Sequence, residues 1–183
     1  IQIFQNQAVD IQKSRGNAMK TVICPGSFDP VTMGHLDIIR RSAKMFDKVL
    51  VVVMTNYHKR NTYVFSADER VDLLKRCTRD MENVEVEQYD GLLAEYARQK
   101  NAVAVVKGLR AVSDFEYEFQ QALTNKKLNS ELETIFVTTT AENMFLSSSV
   151  VKQVCELGGD ISNFVPEEIR DDIIKRISRG ERE

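Results

Sequence analysis

Apolar positions along this chain alternate between two spacings. Dense runs occur at TVIC (Thr21–Cys24), KVLVVVM (Lys48–Met54), AVAVVK (Ala102–Lys107) and TIFVTT (Thr134–Thr139), while NVEVEQY (Asn83–Tyr89) alternates apolar with polar. Dense β-branched runs predict strands covered on both faces, and a period of two predicts a strand as well. Between them the spacing widens. HLDIIRRSAKMF places Leu36, Ile39, Ala43 and Phe46 at helical intervals. SADERVDLLKRC carries Ser66 and, three residues later, Glu69, a capping box. Helices are also predicted at LLAEYARQK, at Asp114–Leu128, at SSSVVKQVCELGG with its closing glycine pair, and at PEEIRDDIIKRISRG, opened by Pro166 and closed by Gly180. Regular β-α alternation predicts an α/β fold: a doubly wound, five-stranded parallel sheet of Rossmann-like type, with helices on both faces and right-handed crossovers. Residues 1–18 are polar, rich in Gln and Asn and without a clean period, and read as a tail; residues 19–183 read as one domain.

Composition narrows the class. The chain has 183 residues, 43% hydrophobic and 28% charged, enough for one domain with a sizeable core. Its net charge of −2 argues against a protein built to grip nucleic acid. No apolar run approaches the ~20 residues of a membrane span. The opening IQIFQNQAV lacks the cationic and apolar regions of a signal peptide. Cys24, Cys77 and Cys155 are scattered, odd in number and at no metal-ligand spacing, as expected of reduced thiols in the cytoplasm.

In doubly wound sheets, ligands bind beyond the carboxyl ends of the strands, near the point where strand order reverses. The loops after the first, second, fourth and fifth strands are the places to search. The first is PGSFDPVTMGH, Pro25–His35. Gly26 permits a sharp turn, Ser27 offers a hydroxyl, and Gly34-His35 opens a helix whose first amides attract anions. Read as plain structure, it is a strand-to-helix turn with a surface histidine. The second loop offers His58, Lys59 and Arg60, either a solvated cationic loop or a lysine over a phosphate. In the fourth, KGLRAVSDFEYE, the strand is expected to end at Lys107, with a turn at Gly108, and Arg110 is available for bidentate phosphate binding. Phe115 and Phe119 are expected in the core; Glu118 is a solvated residue or a ligand contact. The fifth loop, Ser147-Ser148-Ser149, is a redundant helix cap or a second grip on phosphate oxygens. With only two histidines and no Ser-His-Asp or Cys-His arrangement, the set favours direct transfer between two bound phosphates, the protein positioning and neutralising them.

GSFDPVTMGH resembles the signature of the nucleotidyltransferase superfamily, and KGLRAVSDFEYE followed by FLSSS resembles the bacterial phosphopantetheine adenylyltransferase family. The resemblance runs from Lys20 to about the last helix. It implies transfer of AMP from ATP to 4′-phosphopantetheine, giving dephospho-coenzyme A and pyrophosphate, with Mg2+ held mainly by the ATP phosphates, in a cytoplasmic homohexamer. Coenzyme A is a further implied ligand; nucleic acid and membranes are not. By motif, His35, Lys59 and Arg110 are the implied catalytic residues. Ser27, Phe28, His35, Gly108, Leu109, Arg110, Glu118, Asn143, Ser147, Ser148 and Ser149 are implied for ATP, and Ser27, Lys59, Leu93 and Lys107 for the acceptor. Lys107 stands where the family usually has Arg, and Asn143 where an aromatic residue is common. Related cytidylyl- and nicotinate-nucleotide transferases usually carry an Arg soon after the serine or threonine loop; here Val-Val-Lys-Gln follows Ser149. A non-catalytic nucleotide-binding protein on the same fold is the rival of a different class.

Overall fold

The five dense or alternating runs are the strands of one parallel sheet. The structure, a computed structural model, describes residues 19–55 and 62–180; the expected tail at 1–18 lies outside them. In chain order the elements are β1 (Thr21–Gly26), α1 (Met33–Met45), β2 (Lys48–Met54), α2 (Ala67–Cys77), β3 (Val84–Tyr89), α3 (Leu93–Gln99), β4 (Ala104–Leu109), α4 (Val112–Leu128), β5 (Glu133–Thr138), α5 (Ser148–Glu156) and α6 (Glu167–Gly180). A short 3-10 turn, Ala141–Asn143, precedes α5. The strand order is β3-β2-β1-β4-β5, so the chain's progression across this all-parallel sheet switches sides between β1 and β4. All strand-to-helix loops emerge at the carboxyl edge, which places the first and fourth loops side by side at the reversal.

Alternation along the central strands splits the core in two. Val22, Cys24, Val49, Val51, Val53 and Val106 face α1, α2, α5 and α6. Ile23, Leu50, Val52 and Val105 face the other way, against Tyr96 and Ala97 of α3. Helices therefore cover both faces, as the alternation predicted.

Two expectations are corrected. The fourth strand does not stop at Lys107 but runs to Leu109, with Gly108 paired to Val137 inside the ladder. Glycine is required there by packing, not by a turn: a Cβ would stand 2.9 Å from Cγ1 of Ile38 on α1. Nor are Phe115 and Phe119 core residues. Their rings stack at 5.4 Å and Phe115 meets Phe136 edge-on at 5.7 Å, yet they remain 41% and 45% exposed. Helix α4 buries no residue at all, because it lies over β4 and β5 at the rim of the sheet.

Candidate active site

The first loop is fixed from below by partners distant in sequence. Phe28 adopts φ 48°, and the Asp29-Pro30 peptide is cis. Asp29 is buried; its carboxylate accepts from the Phe65 N–H at 2.9 Å and the Val64 N–H at 3.1 Å, and pairs with Lys152 at 2.9 Å. Lys152 also donates to the Thr62 carbonyl at 3.2 Å. The Phe28 ring is buried and edge-on to His35, centroids 5.1 Å apart, so only its backbone is placed to meet a ligand. Ser27 is half-buried, its carbonyl accepting from Arg70 Nη1 at 2.6 Å.

His35 is the third residue of α1, and it closes a capping box with Thr32. The Thr32 N–H donates to His35 Nδ1 at 3.1 Å, and the His35 N–H donates to Thr32 Oγ1 at 3.3 Å. A backbone donor at Nδ1 fixes the neutral tautomer that carries its proton on Nε2. Burial, helped by the nearby Arg110 charge, lowers its pKa to about 4. His35 is therefore a neutral hydrogen-bond donor at pH 7. The helix start is less open than expected: the Met33 N–H already donates to the Phe164 carbonyl at 2.9 Å. Gly34 N–H is the first-turn amide left without a protein acceptor among the described residues.

The fourth loop supplies charge that is already held in place. Arg110 makes a fork with Asp114 (Nε to Oδ2 2.9 Å, Nη2 to Oδ1 3.0 Å) and gives Nη1 to the Leu146 carbonyl at 3.1 Å. Its bidentate partner in this chain is thus a carboxylate, leaving one N–H on each terminal nitrogen for a phosphate. Burial would raise the Asp114 pKa, but the bonds from Arg110 outweigh it and hold the carboxyl below its ordinary value. Lys107, half-buried, pairs with Glu118 Oε2 at 3.2 Å. Leu109 ends β4, and its carbonyl accepts from the Thr139 N–H at 2.9 Å.

The serine loop closes the other side. Ser147 caps α5 by accepting from the Val150 N–H at 3.1 Å, and Ser148 Oγ donates to the Pro30 carbonyl at 2.8 Å, tying α5 to the first loop. Ser149 is exposed, and its hydroxyl has no protein partner among the described residues. Asn143 donates to Thr140 Oγ1 at 2.9 Å and lies against Gly34. The structure thus brings together His35, Arg110, Gly34 and the serine loop around the sheet reversal. Leu93 sits apart, at the start of α3, packed partly into the second core. Lys59 lies outside the described residues. Around the reversal stand a neutral imidazole donor, a guanidinium and the Gly34 N–H, groups that stabilise anionic oxygens.

Residues 23–154 match the sequence profile described as cytidylyltransferase-like. A phosphopantetheine adenylyltransferase of Caldanaerobacter subterraneus subsp. tengcongensis is 53% identical over 162 residues, covering 88% of this chain and 100% of the relative. The chain belongs to the phosphopantetheine adenylyltransferase family. Further members are similar: that of Clostridium beijerinckii is 52% identical (87% of this chain, 99% of the relative), and that of Moorella thermoacetica 51% (86% and 98%). A solved structure described as a nicotinate-nucleotide adenylyltransferase, from Vibrio parahaemolyticus, superposes with a TM-score of 0.61 at 18% identity, covering 87% of this chain and 96% of that one. It supports the fold. No described helix is long and apolar enough to cross a membrane.

For this family member, sequence reading missed four residues that shape the site: Asp29, Arg70, Asp114 and Lys152. Only Asp114 had a local signal, lying four positions after Arg110 on a helix start, a spacing that pairs charges. The other three act on partners between 35 and 123 residues away, which no local pattern records.

Proposed function

We propose that this chain catalyses attack of the phosphate of 4′-phosphopantetheine on the α-phosphorus of ATP, in line and without a covalent enzyme intermediate, releasing pyrophosphate and forming dephospho-coenzyme A. The observation that carries the proposal is His35: a neutral ring locked by its Nδ1, offering Nε2–H beside Arg110. Negative charge grows on the α-phosphoryl oxygens and on the departing pyrophosphate. A preorganised donor favours the transition state over the ground state. No general base is required, because the attacking phosphate is already ionised at neutral pH.

In this reading His35, Lys59 and the Gly34 N–H hold the α-phosphoryl oxygens. Arg110, with Ser147, Ser148, Ser149 and Asn143, holds the nucleotide on the far side. Gly108, Leu109 and Glu118 border the nucleotide, and Ser27 and Phe28 lie where nucleotide and acceptor meet. Lys107 meets the acceptor phosphate as a point charge, without the planar fork of Arg, and Leu93 meets the pantetheine arm. Among the described residues no group of three His, Cys, Asp or Glu side chains could by itself hold a metal. Arg110 and Lys107 are paired with Asp114 and Glu118, which fits Mg2+ arriving on the ATP phosphates and neutralising part of their charge. Residues 19–183 act as one catalytic domain in the cytoplasm. The exposed apolar face of α4, with Phe115, Phe119 and Leu123, supports assembly into a homohexamer. Coenzyme A, which carries the product's pantetheine arm, is a further ligand of the same site.

An α-thio-ATP of defined configuration at phosphorus tests the mechanism. One in-line displacement inverts that centre. Retention would indicate two displacements and overturn it.

A further inference from the structure

Arg70 belongs to none of the motifs above, yet it touches the first loop. It lies on α2 and is only 3% exposed. Nη1 donates to the Ser27 carbonyl at 2.6 Å and Nε to the Ser66 carbonyl at 3.3 Å, and the guanidinium lies 4.2 Å from the Tyr63 ring centroid. Among the described residues no carboxylate pairs with it. The acidic side chain of the first loop, Asp29, is already engaged by Lys152 and two backbone amides.

A buried charge without an opposite charge is costly. Two carbonyl dipoles and an aromatic face offset part of that cost. They leave a net positive charge beneath the loop that leads into α1. The bond to Ser27 also sets direction. In a trans peptide the carbonyl and the following N–H point opposite ways, so drawing the Ser27 carbonyl toward Arg70 turns the Phe28 N–H away from it.

We propose that Arg70 is a positioning residue for polyphosphate. It holds the Ser27 carbonyl away from bound phosphate and adds a buried positive charge that the incoming anion completes. The inference rests on reading the first loop as the phosphate site. It differs from a packing role in one respect: the charge costs the empty protein stability and returns it as affinity for anions.

Two variants of the whole chain separate charge from geometry. Arg70→Gln keeps a donor for the Ser27 carbonyl and removes the charge; Arg70→Lys keeps the charge and removes the fork. Titration calorimetry with ATP and with adenosine, alongside thermal melting, gives the readout. For Arg70→Gln, ATP affinity is expected to fall about tenfold, equivalent to about 1.4 kcal/mol. Adenosine affinity changes less than about twofold, and the melting temperature holds or rises. The ATP affinity of Arg70→Gln also depends less steeply on salt. Arg70→Lys retains most of the preference for ATP. An Arg70→Gln protein that loses ATP and adenosine equally, or that keeps ATP affinity within about twofold, overturns the inference. So does an Arg70→Lys protein that loses as much ATP affinity as Arg70→Gln. A wild-type chain that binds ATP no better than adenosine overturns the phosphate-site reading, and the inference with it.

Discussion

Replacing His35 by Asn removes one end of the side chain's chemistry and keeps the other. Asn Oδ1 occupies nearly the position of the imidazole Nδ1, so it can still accept from the Thr32 N–H that now lies 3.1 Å from that nitrogen. The Nε2–H donor disappears. Loss of one preorganised donor to a developing oxyanion costs on the order of 10²–10³ in kcat, roughly 2.7–4 kcal/mol. The stability cost is smaller. The edge-on contact with Phe28 is lost, about 0.5–1.5 kcal/mol, while the cap survives. His35→Ala, by contrast, also leaves the Thr32 N–H without its acceptor, adding about 1–3 kcal/mol, although the bond from the residue-35 N–H to Thr32 Oγ1 remains. Initial rates of pyrophosphate release at saturating ATP, with melting curves for both variants, make the comparison. His35→Asn should melt above His35→Ala yet be equally slow. A folded His35→Asn enzyme within tenfold of wild type would refute the argument that Nε2–H stabilises the transition state. The pH dependence carries a second signature. Folding lowers the His35 pKa to about 4 from an unfolded value near 6.5. Between those values the unfolded chain binds more protons, so this group leaves stability untouched above pH ~6.5 and erodes it as pH falls toward ~4. The neutral donor persists throughout, and kcat should show no acid limb near 6.5 from this residue.

Other perturbations test the frame around the site. Gly108→Ala puts a methyl 2.9 Å from Cγ1 of Ile38; overpacking of about 1–3 kcal/mol is expected, read as a lower melting temperature, and an unchanged value would mean α1 is not seated by that contact. Lys152→Met leaves the Asp29 carboxylate buried without its cation; the loss should approach about 3 kcal/mol in chemical denaturation, and less than about 1 kcal/mol would show that the Val64 and Phe65 amides suffice. Asp114→Asn releases Arg110 from its fork. Because the Asp114 pKa is lowered on folding, the wild type draws stability from this carboxyl above its unfolded value near 3.9 and loses it as pH falls through the folded one. The stabilities of Asp114→Asn and wild type should therefore converge in acid; a gap constant with pH would contradict the assignment.

The sheet was legible because strands covered on both faces must be apolar throughout, as KVLVVVM is, while surface helices alternate at wider spacing. Boundaries were less legible where glycine served packing. Gly108 looked like a turn residue, but only the approach of Ile38 explains it. Phe115 and Phe119 looked like core because helical spacing says which residues share a face, not whether anything covers that face. In the site, the glycine, histidine and serines could be found from their motifs. Their restraints could not: the hold of Arg70 on Ser27, the Asp29–Lys152 pair and the Ser148–Pro30 bond all depend on tertiary contact.

The two substrates define the reaction. Pyrophosphate release should be measured with ATP and Mg2+ against 4′-phosphopantetheine, nicotinate mononucleotide and glycerol 3-phosphate in parallel, with CTP replacing ATP in a matching set. Release is expected only with ATP and 4′-phosphopantetheine, accompanied by dephospho-coenzyme A. Release with another acceptor or with CTP, or none with any pair from a chain that still binds nucleotide, would contradict that expectation.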